Sequence, residues 1–367
     1  MPRLIFLIQG TGDDTVTLLK RMPRFIWNKR NFTWLFGILL VTNWYVKFHI
    51  QFFATTRAGA AICAIQKDAL PYIDEWVDYH YSIGFKKIFV YDNSPEFALV
   101  EWYNNRKNRT HDVDFIEIKH FPGNGEQMHA YEDCIDRISD SKSHSWIAFI
   151  DLDEFFVIQD RQTYPHIMDL LDTLPRDAGA LGVNWYVAGY SNQTIYEPKP
   201  VTLRFQRRQP MTNAHIKSIV RVSSVSEITE VWVHNVKFVD KTRGFKTMDT
   251  NGGIIQDAFN ENGPTDKIVL YHYHTKSIEE FKARCNRGRA DLKTTNKADN
   301  PACYEDQRLI DYLDSEFGES RTIFDDTPWK ILKENIPAYS KFESVVNYAT
   351  VPAETTNPTN AHTANET

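Results

Sequence analysis

The residues best suited to chemistry are four consecutive ones, Asp151-Leu-Asp-Glu154, which follow directly on the apolar run Trp146 to Ile150. On an extended backbone Asp151 and Asp153 fall on one side and Leu152 on the other. Two like charges held that close are costly unless a cation neutralises them. The natural choice is a hard cation with oxygen ligands, manganese or magnesium, which also grips a diphosphate. Stabilising a departing diphosphate is Lewis-acid work and needs no covalent enzyme intermediate. A D-x-D triplet alone is common on surfaces as a solvated acidic turn, so its weight comes from its place at the end of an apolar strand. Phosphatases that use the first Asp of Asp-x-Asp-x-Thr/Val as nucleophile are a rival, but the fifth position here is Phe155.

A third ligand is on offer further along. In Leu270-Tyr-His-Tyr-His-Thr-Lys276 the two histidines alternate along an expected strand, so His272 and His274 face one side. A neutral imidazole would complete a metal site begun by the aspartates, with a pair of surface histidines as the plain alternative.

Several elements must carry these groups. Ala60 to Ile65 and Lys87 to Tyr91 read as strands, with a helix between them whose Ile73, Trp76, Val77 and His80 share a face. Asp68 is its expected cap and Gly84 its stop. Asp92-Asn-Ser-Pro95 is a turn, followed by a helix near Phe97 to Tyr103 and a strand from Val113 to Ile118. A helix with Met128, Tyr131, Ile135 and Ile138 on one face precedes the Trp146 to Ile150 strand. This β-α succession predicts an α/β fold, a mostly parallel, Rossmann-like sheet flanked by helices, with ligands beyond the carboxyl ends of its strands. Asp92 and the Asp151 to Glu154 cluster then share one crevice. Beyond Asp160 a helix is expected at Ile167 to Leu174. Extended segments are expected at Leu181 to Tyr186, Val201 to Phe205, Ser218 to Val222, Val231 to Phe238 and Ile268 to Tyr273.

The first thirty residues carry Arg3, Lys20, Arg21, Arg24, Lys29 and Arg30 against Asp13 and Asp14, in a chain of net charge −6, so the remainder is near −10. A body that acidic is a poor partner for nucleic acid. Asn31 to Val46 is uncharged and apolar, and with Phe48, Ile50, Phe52 and Phe53 it reads as a membrane anchor over 31–53. The basic cluster ahead of it keeps residues 1–30 in the cytosol and sends the body across. Residues 346–367, rich in Thr, Asn, Ala and Pro, have little to bury and read as a disordered tail. Of the four cysteines, Cys285 and Cys303 would pair in an oxidising lumen, whereas Cys63 and Cys134 sit in apolar settings as core residues.

Four blocks together resemble one family, the glycosyltransferases of family 92. They are Lys67 to Ser94 (KDALPYIDEWVDYHYSIGFKKIFVYDNS), Gln127 to Cys134 (QMHAYEDC), Trp146 to Phe155 (WIAFIDLDEF) and His272-Tyr273 with Ser277 to Ala290. The resemblance implies a GT-A fold over residues 58–345, a type II single-pass Golgi anchor, a UDP-sugar donor, a divalent metal and a glycan or glycoconjugate acceptor. It also implies galactose as the favoured sugar and inversion at the anomeric carbon. Carried over residue by residue, Asp151, Asp153 and His272 match the metal set, and Asp92 matches a strand-end residue that contacts the nucleoside. Lys67 and Gln127 open their blocks as further donor-binding candidates. Glu154 is a candidate to brace the site or act on the acceptor. Two features depart from the family pattern. Ala69 follows Asp68 where the family has Glu, and Asn184 to Asn192 (NWYVAGYSN) matches the acceptor-side loop only loosely. The expectation is a metal-dependent hexosyltransferase. Its rivals are a non-catalytic glycan-binding member of the same fold and a metal-dependent hydrolase.

Overall fold

A computed structural model describes residues 58–107, 115–139, 143–239, 244–287, 303 and 306–345. The expected cytosolic tail, membrane anchor and C-terminal tail lie outside them. Among the described residues no helix is long and apolar enough to cross a membrane.

The chain opens with β1 (Gly59–Gln66), α1 (Ile73–Ser82), β2 (Lys87–Asp92), α2 (Leu99–Lys107), β3 (Ile116–His120), α3 (Gln127–Ser139) and β4 (His144–Phe149). It continues through β5 (Glu154–Ile158), α4 (Ile167–Leu171), β6 (Ala178–Val187), α5 (Val201–Arg204), β7 (Arg207–Arg208) and β8 (Asn213–Arg221). Four short strands follow: β9 (Ile228–Val231), β10 (Val236–Phe238), β11 (Lys246–Met248) and β12 (Ile254–Ile255). The last elements are β13 (Ile268–His272), α6 (Ile278–Arg287), α7 (Asp306–Phe317), β14 (Ile323–Phe324) and α8 (Thr327–Asn335).

The main sheet runs β12-β11-β6-β8-β4-β1-β2-β3, with β13 joining β6 to β5. Strands β3, β2, β1 and β4 are parallel, as expected from βαβ succession. Strand β8 is antiparallel to both its neighbours, β4 and β6, so its start lies at the edge where β4 and β6 end. Strand β13 lies parallel to β6 and antiparallel to β5. The sheet is therefore mainly parallel but mixed.

All eight residues of β1 are buried, as a strand covered on both faces requires. Its alternation divides the core. Ala60, Ile62 and Ala64 join α1 and α8 through Trp76, Val77, Trp329 and Leu332 on one side. Ala61, Cys63 and Ile65 join α3 through Ala130, Tyr131, Cys134 and Ile138 on the other. The α1 face read from sequence is the buried one, and Gly84 ends the helix at φ +101°. The remaining two cysteines, Cys285 and Cys303, are disulfide-bonded.

Four local expectations fail. Val231 to Phe238 is not one extended run but the turn and second strand of the antiparallel β9–β10 pair. Asp68 does not cap α1; it sits at φ +56°, and Tyr72 occupies the cap position with no side-chain bond. The helix expected to reach Leu174 ends at Leu171. Val201 to Phe205 is helical over Val201–Arg204 because the buried Glu75 carboxylate of α1 accepts both the Val201 and Thr202 backbone N–H groups, with the Thr202 hydroxyl. A carboxylate at a helix start satisfies donors that have no intrahelical partner.

Helix α5 is also tied to α6. Arg204 meets Glu280 through Nη2–Oε2 at 2.6 Å and Nη1–Oε1 at 3.1 Å, with side chains 1% and 6% exposed. Tyr72 and Ser277 hydroxyls donate to the same carboxylate. Arg204→Ala should cost about 3–5 kcal/mol, because it strands a buried carboxylate, and urea denaturation should show the midpoint fall accordingly.

Candidate active site

A cleft of about 510 Å³ opens at the sheet edge where β1, β4, β6 and β13 end and β8 begins. Asp151 and Asp153 both border it, on the segment leaving β4. That segment is a turn and not the extended run expected: the Glu154 N–H returns to the Asp151 carbonyl at 3.1 Å. The turn gives the two aspartates different partners. Asp151 Oδ1 accepts from Gln127 Nε2 at 3.0 Å, and Oδ2 from Lys217 Nζ at 2.9 Å. Asp153 Oδ1 lies 3.6 Å from His272 Nε2, and Oδ2 lies 3.7 Å from Lys276 Nζ.

Lys217 has no exposed side-chain surface. Burial alone would strip its proton, but the Asp151 and Glu154 carboxylates outweigh it and hold the ammonium well above its ordinary range. Glu154, also fully buried, goes the other way. Burial pushes its carboxyl well up, and Asp151 and Asp153 add to this against the pull of Lys217. Its Oε2 accepts the Asp151 N–H at 2.8 Å, and its Oε1 has no partner among the described residues. One ammonium is thus shared by two carboxyls. For Asp153, burial opposes ionisation, yet Lys276, then His272 and Arg284, hold it well below the usual carboxylate range.

Four sequence expectations change. Glu154, expected to brace the site or act on the acceptor, does not border the cleft and is fully buried beneath the acidic turn. Asp92 is buried with both oxygens taken, Oδ1 by Gln66 Nε2 and the Ser94 N–H and Oδ2 by the Leu99 N–H. It fixes the turn after β2, and its neighbours Gln66 and Asn93 face the cleft in its place. The triad Asp151, Asp153 and His272 does not assemble as one metal set, because Gln127 and Lys217 occupy Asp151. Among the described residues no three His, Cys, Asp or Glu side chains are arranged to hold a metal. What remains is a two-donor edge, Asp153 Oδ1 and His272 Nε2, which suits a cation that takes its other ligands from phosphate and water. The fourth change concerns charge: Lys217 and Lys276 answer much of the repulsion that made a metal necessary.

Other expectations hold. His272 and His274 face the cleft together with ring centroids 5.0 Å apart, while Tyr271, Tyr273 and Thr275 before, between and after them are buried. Gln127 and Lys67 both line the cleft, and the Lys67 carbonyl accepts from Arg287 Nη1 at 2.8 Å.

The family described as Glycosyltransferase family 92 matches residues 62–299, a span that holds every cleft-bordering residue named so far. The chain belongs to glycosyltransferase family 92. Relatives of that family include a protein of Oryza sativa subsp. japonica, 25% identical over 221 residues, which are 60% of this chain and 34% of that protein. Another, from Ricinus communis, is 25% identical over 233 residues, 62% of this chain and 37% of that one. The chain thus spans little more than a third of the length of these relatives. Among solved structures, S. aureus TarS 1-349 is similar at a TM-score of 0.33 and 15% identity, covering 72% of this chain and 73% of that one. The same segment in complex with UDP-GlcNAc gives 0.35 and 12%, covering 77% and 73%. At that distance the likeness decides nothing about chemistry here.

In this family 92 chain the cleft is also lined by groups that sequence reasoning did not single out, Lys276, Arg284, Arg287, Trp185, His215 and His234, while Lys217, equally unforeseen, lies buried behind Asp151. Lys276, Arg284 and Arg287 lie within or beside the closing sequence block, so their motif was visible without their role. Lys217 had a fainter signal, one lysine inside the otherwise strand-like Ile216 to Val222.

Lys217→Met should leave the buried Glu154 and the half-buried Asp151 without their cation and cost about 3–5 kcal/mol. Adding Glu154→Gln should recover part of that loss in chemical denaturation, since it removes one of the stranded carboxyls.

Proposed function

We propose that the chain is a GT-A-type transferase over residues 58–345 that moves a sugar from a nucleotide sugar to a glycan acceptor. The observation that carries this reading is the convergence of Asp153, His272 and Lys276, with Gln127-held Asp151, on one cleft at the ends of parallel strands. The donor is taken to be a UDP-sugar, with galactose favoured by the family resemblance.

Lys67, Lys276, Arg284 and Arg287 line one side of the cleft and suit a diphosphate. Asp153 and His272 would hold a manganese or magnesium ion, whose chemistry there is to neutralise charge gathering on the leaving diphosphate. Lys276 is set beside Asp153 so that a phosphate entering the cleft meets an ammonium already positioned. Asp151, fixed by Gln127 and Lys217, gives this wall a rigid backbone turn. The acceptor oxygen bonds to the anomeric carbon as the bond to the diphosphate oxygen breaks, with inversion, and the hydroxyl proton passes to a base on the acceptor side. Residues 31–53 are proposed as a type II signal anchor that places this domain in the Golgi lumen. The Cys285–Cys303 bond accords with an oxidising compartment.

The full chain, screened against nucleotide sugars with manganese, should release UDP from one UDP-sugar in an acceptor-dependent way. Asp153→Asn should lower kcat/KM by roughly 100-fold or more, and a chelator should do the same to the wild type. Undiminished turnover in both cases would remove the metal from the reading, and no turnover of any nucleotide sugar would remove the transferase.

A further inference from the structure

The cleft has a second half for which donor binding supplies no role. It lies at the end of β6 and the start of β8, and is walled by Trp185, His215 and His234. The Trp185 indole is its hub. His215 stacks on it with centroids 4.9 Å apart and planes 12° from parallel; His234 lies at 5.2 Å and His272 at 4.4 Å. Phe259, 50% exposed, extends the row outward with its ring 4.6 Å from His215.

His215 covers a face of the indole, so Trp185 offers its edge. The residue is 9% exposed, and the buried Nε1–H has no hydrogen-bond partner among the described residues. A buried donor without a partner is costly, which favours a ligand that brings an oxygen to it.

Both imidazoles are fixed in tautomer as well as place. Asn213 Oδ1 accepts the His215 backbone N–H at 2.9 Å, so it is an oxygen, and His215 Nδ1 at 2.8 Å must donate to it. His234 Nδ1 likewise donates to the Ile216 carbonyl at 3.1 Å. In each ring Nε2 is therefore the acceptor. Burial, then the nearby His272, lowers the His215 pKa; burial, with Lys217 and His215, takes His234 down to about 4. The pocket presents one donor, two acceptors, aromatic walls and no charge of its own. That profile suits a neutral polyhydroxylated ring and gives an anion nothing to pair with.

We propose that Trp185, His215 and His234 form the acceptor subsite and hold a neutral pyranose, whose hydroxyls accept from Trp185 Nε1 and donate to the imidazole Nε2 atoms. The assignment rests on the glycosyltransferase reading and gives it the chemical class of its second substrate. It also gives a physical role to the stretch around Trp185, where the sequence follows the family pattern only loosely.

The test uses the full chain, UDP binding by calorimetry, and UDP release from the preferred UDP-sugar with a panel of methyl pyranosides as acceptors. Trp185→Phe keeps the ring and deletes the donor, and His234→Gln alters the other wall. Each should raise the acceptor KM about five- to tenfold, the scale of one lost hydrogen bond, while the Kd for UDP moves less than about twofold. Retained UDP binding also reports that a variant is folded. An unchanged acceptor KM in both variants overturns the assignment. A rise in the UDP-sugar KM in its place also overturns it and gives the pocket to the transferred sugar. A wild-type chain that releases no UDP from any nucleotide sugar is the separate result that sinks the transferase reading itself.

Discussion

The Lys217 ammonium lies with no solvent contact between Asp151 and Glu154, 2.9 Å from one carboxylate and 3.4 Å from the other. It comes from β8, the strand that reverses direction beside β4, and it reaches the turn that β4 feeds. Removing a charge from water is expensive, so this ammonium persists only while the turn keeps its carboxylates in place, and the turn keeps its shape only while they are answered. The Glu154 carboxyl completes the arrangement by accepting the Asp151 N–H from below. Trp76 Nε1 donates to the Glu154 carbonyl at 2.8 Å and joins the turn to α1. Through these few bonds the position of Asp153 in the cleft is set by the two strands and the helix that carry it.

The opposite wall has its own anchor. The Arg204–Glu280 pair secures the start of α6, whose later residues Arg284 and Arg287 line the cleft. The Cys285–Cys303 bond joins that helix to the chain just before α7, which supplies Tyr312, Glu316 and Phe317 to the same wall. Phe281, Leu309, Leu313 and Phe317 bury a small core of their own behind it. A wall supported this way presents its cations in fixed positions, and fixed charges stabilise a phosphate better than ones that must first be gathered.

What was legible in the sequence followed from local pattern. The buried face of α1, the strands β1, β2 and β4, the stop at Gly84 and the outward alternation of His272 and His274 are all set by residues a few positions apart. What was not legible depended on partners far along the chain. Helix α5 exists because Glu75, more than a hundred residues earlier, accepts its first N–H groups. Asp151 was read as a metal ligand because its spacing with Asp153 was visible while Lys217, 66 positions later, was not. Asp92 was read as facing a ligand because it ends a strand, yet its bonds to Gln66, Ser94 and Leu99 consume it. Strand-end placement pointed to the cleft that the structure shows, but only the pairing across the sheet decided which side chains border it.

That pairing also explains why the cleft has two characters. Parallel strands end together and leave backbone turns at one edge, and here those turns carry Lys67, Asn93 and the acidic pair, with Arg284 and Arg287 of α6 beside them. Strand β8 enters the same edge from the opposite direction and contributes its first residues, among them the amide of Asn213 and the imidazole of His215, with the Trp185 indole across the ladder. A ligand with a charged end and an uncharged end is therefore oriented before any specific bond forms. Its phosphates find cations only on one side, where desolvation strengthens the attraction. An uncharged ring gains most on the other, where apolar surface can be covered and the unpaired Trp185 N–H satisfied. Reversing the ligand would bury phosphate against neutral imidazoles and leave the cations unanswered, so the reversal of a single strand imposes direction on the whole cleft.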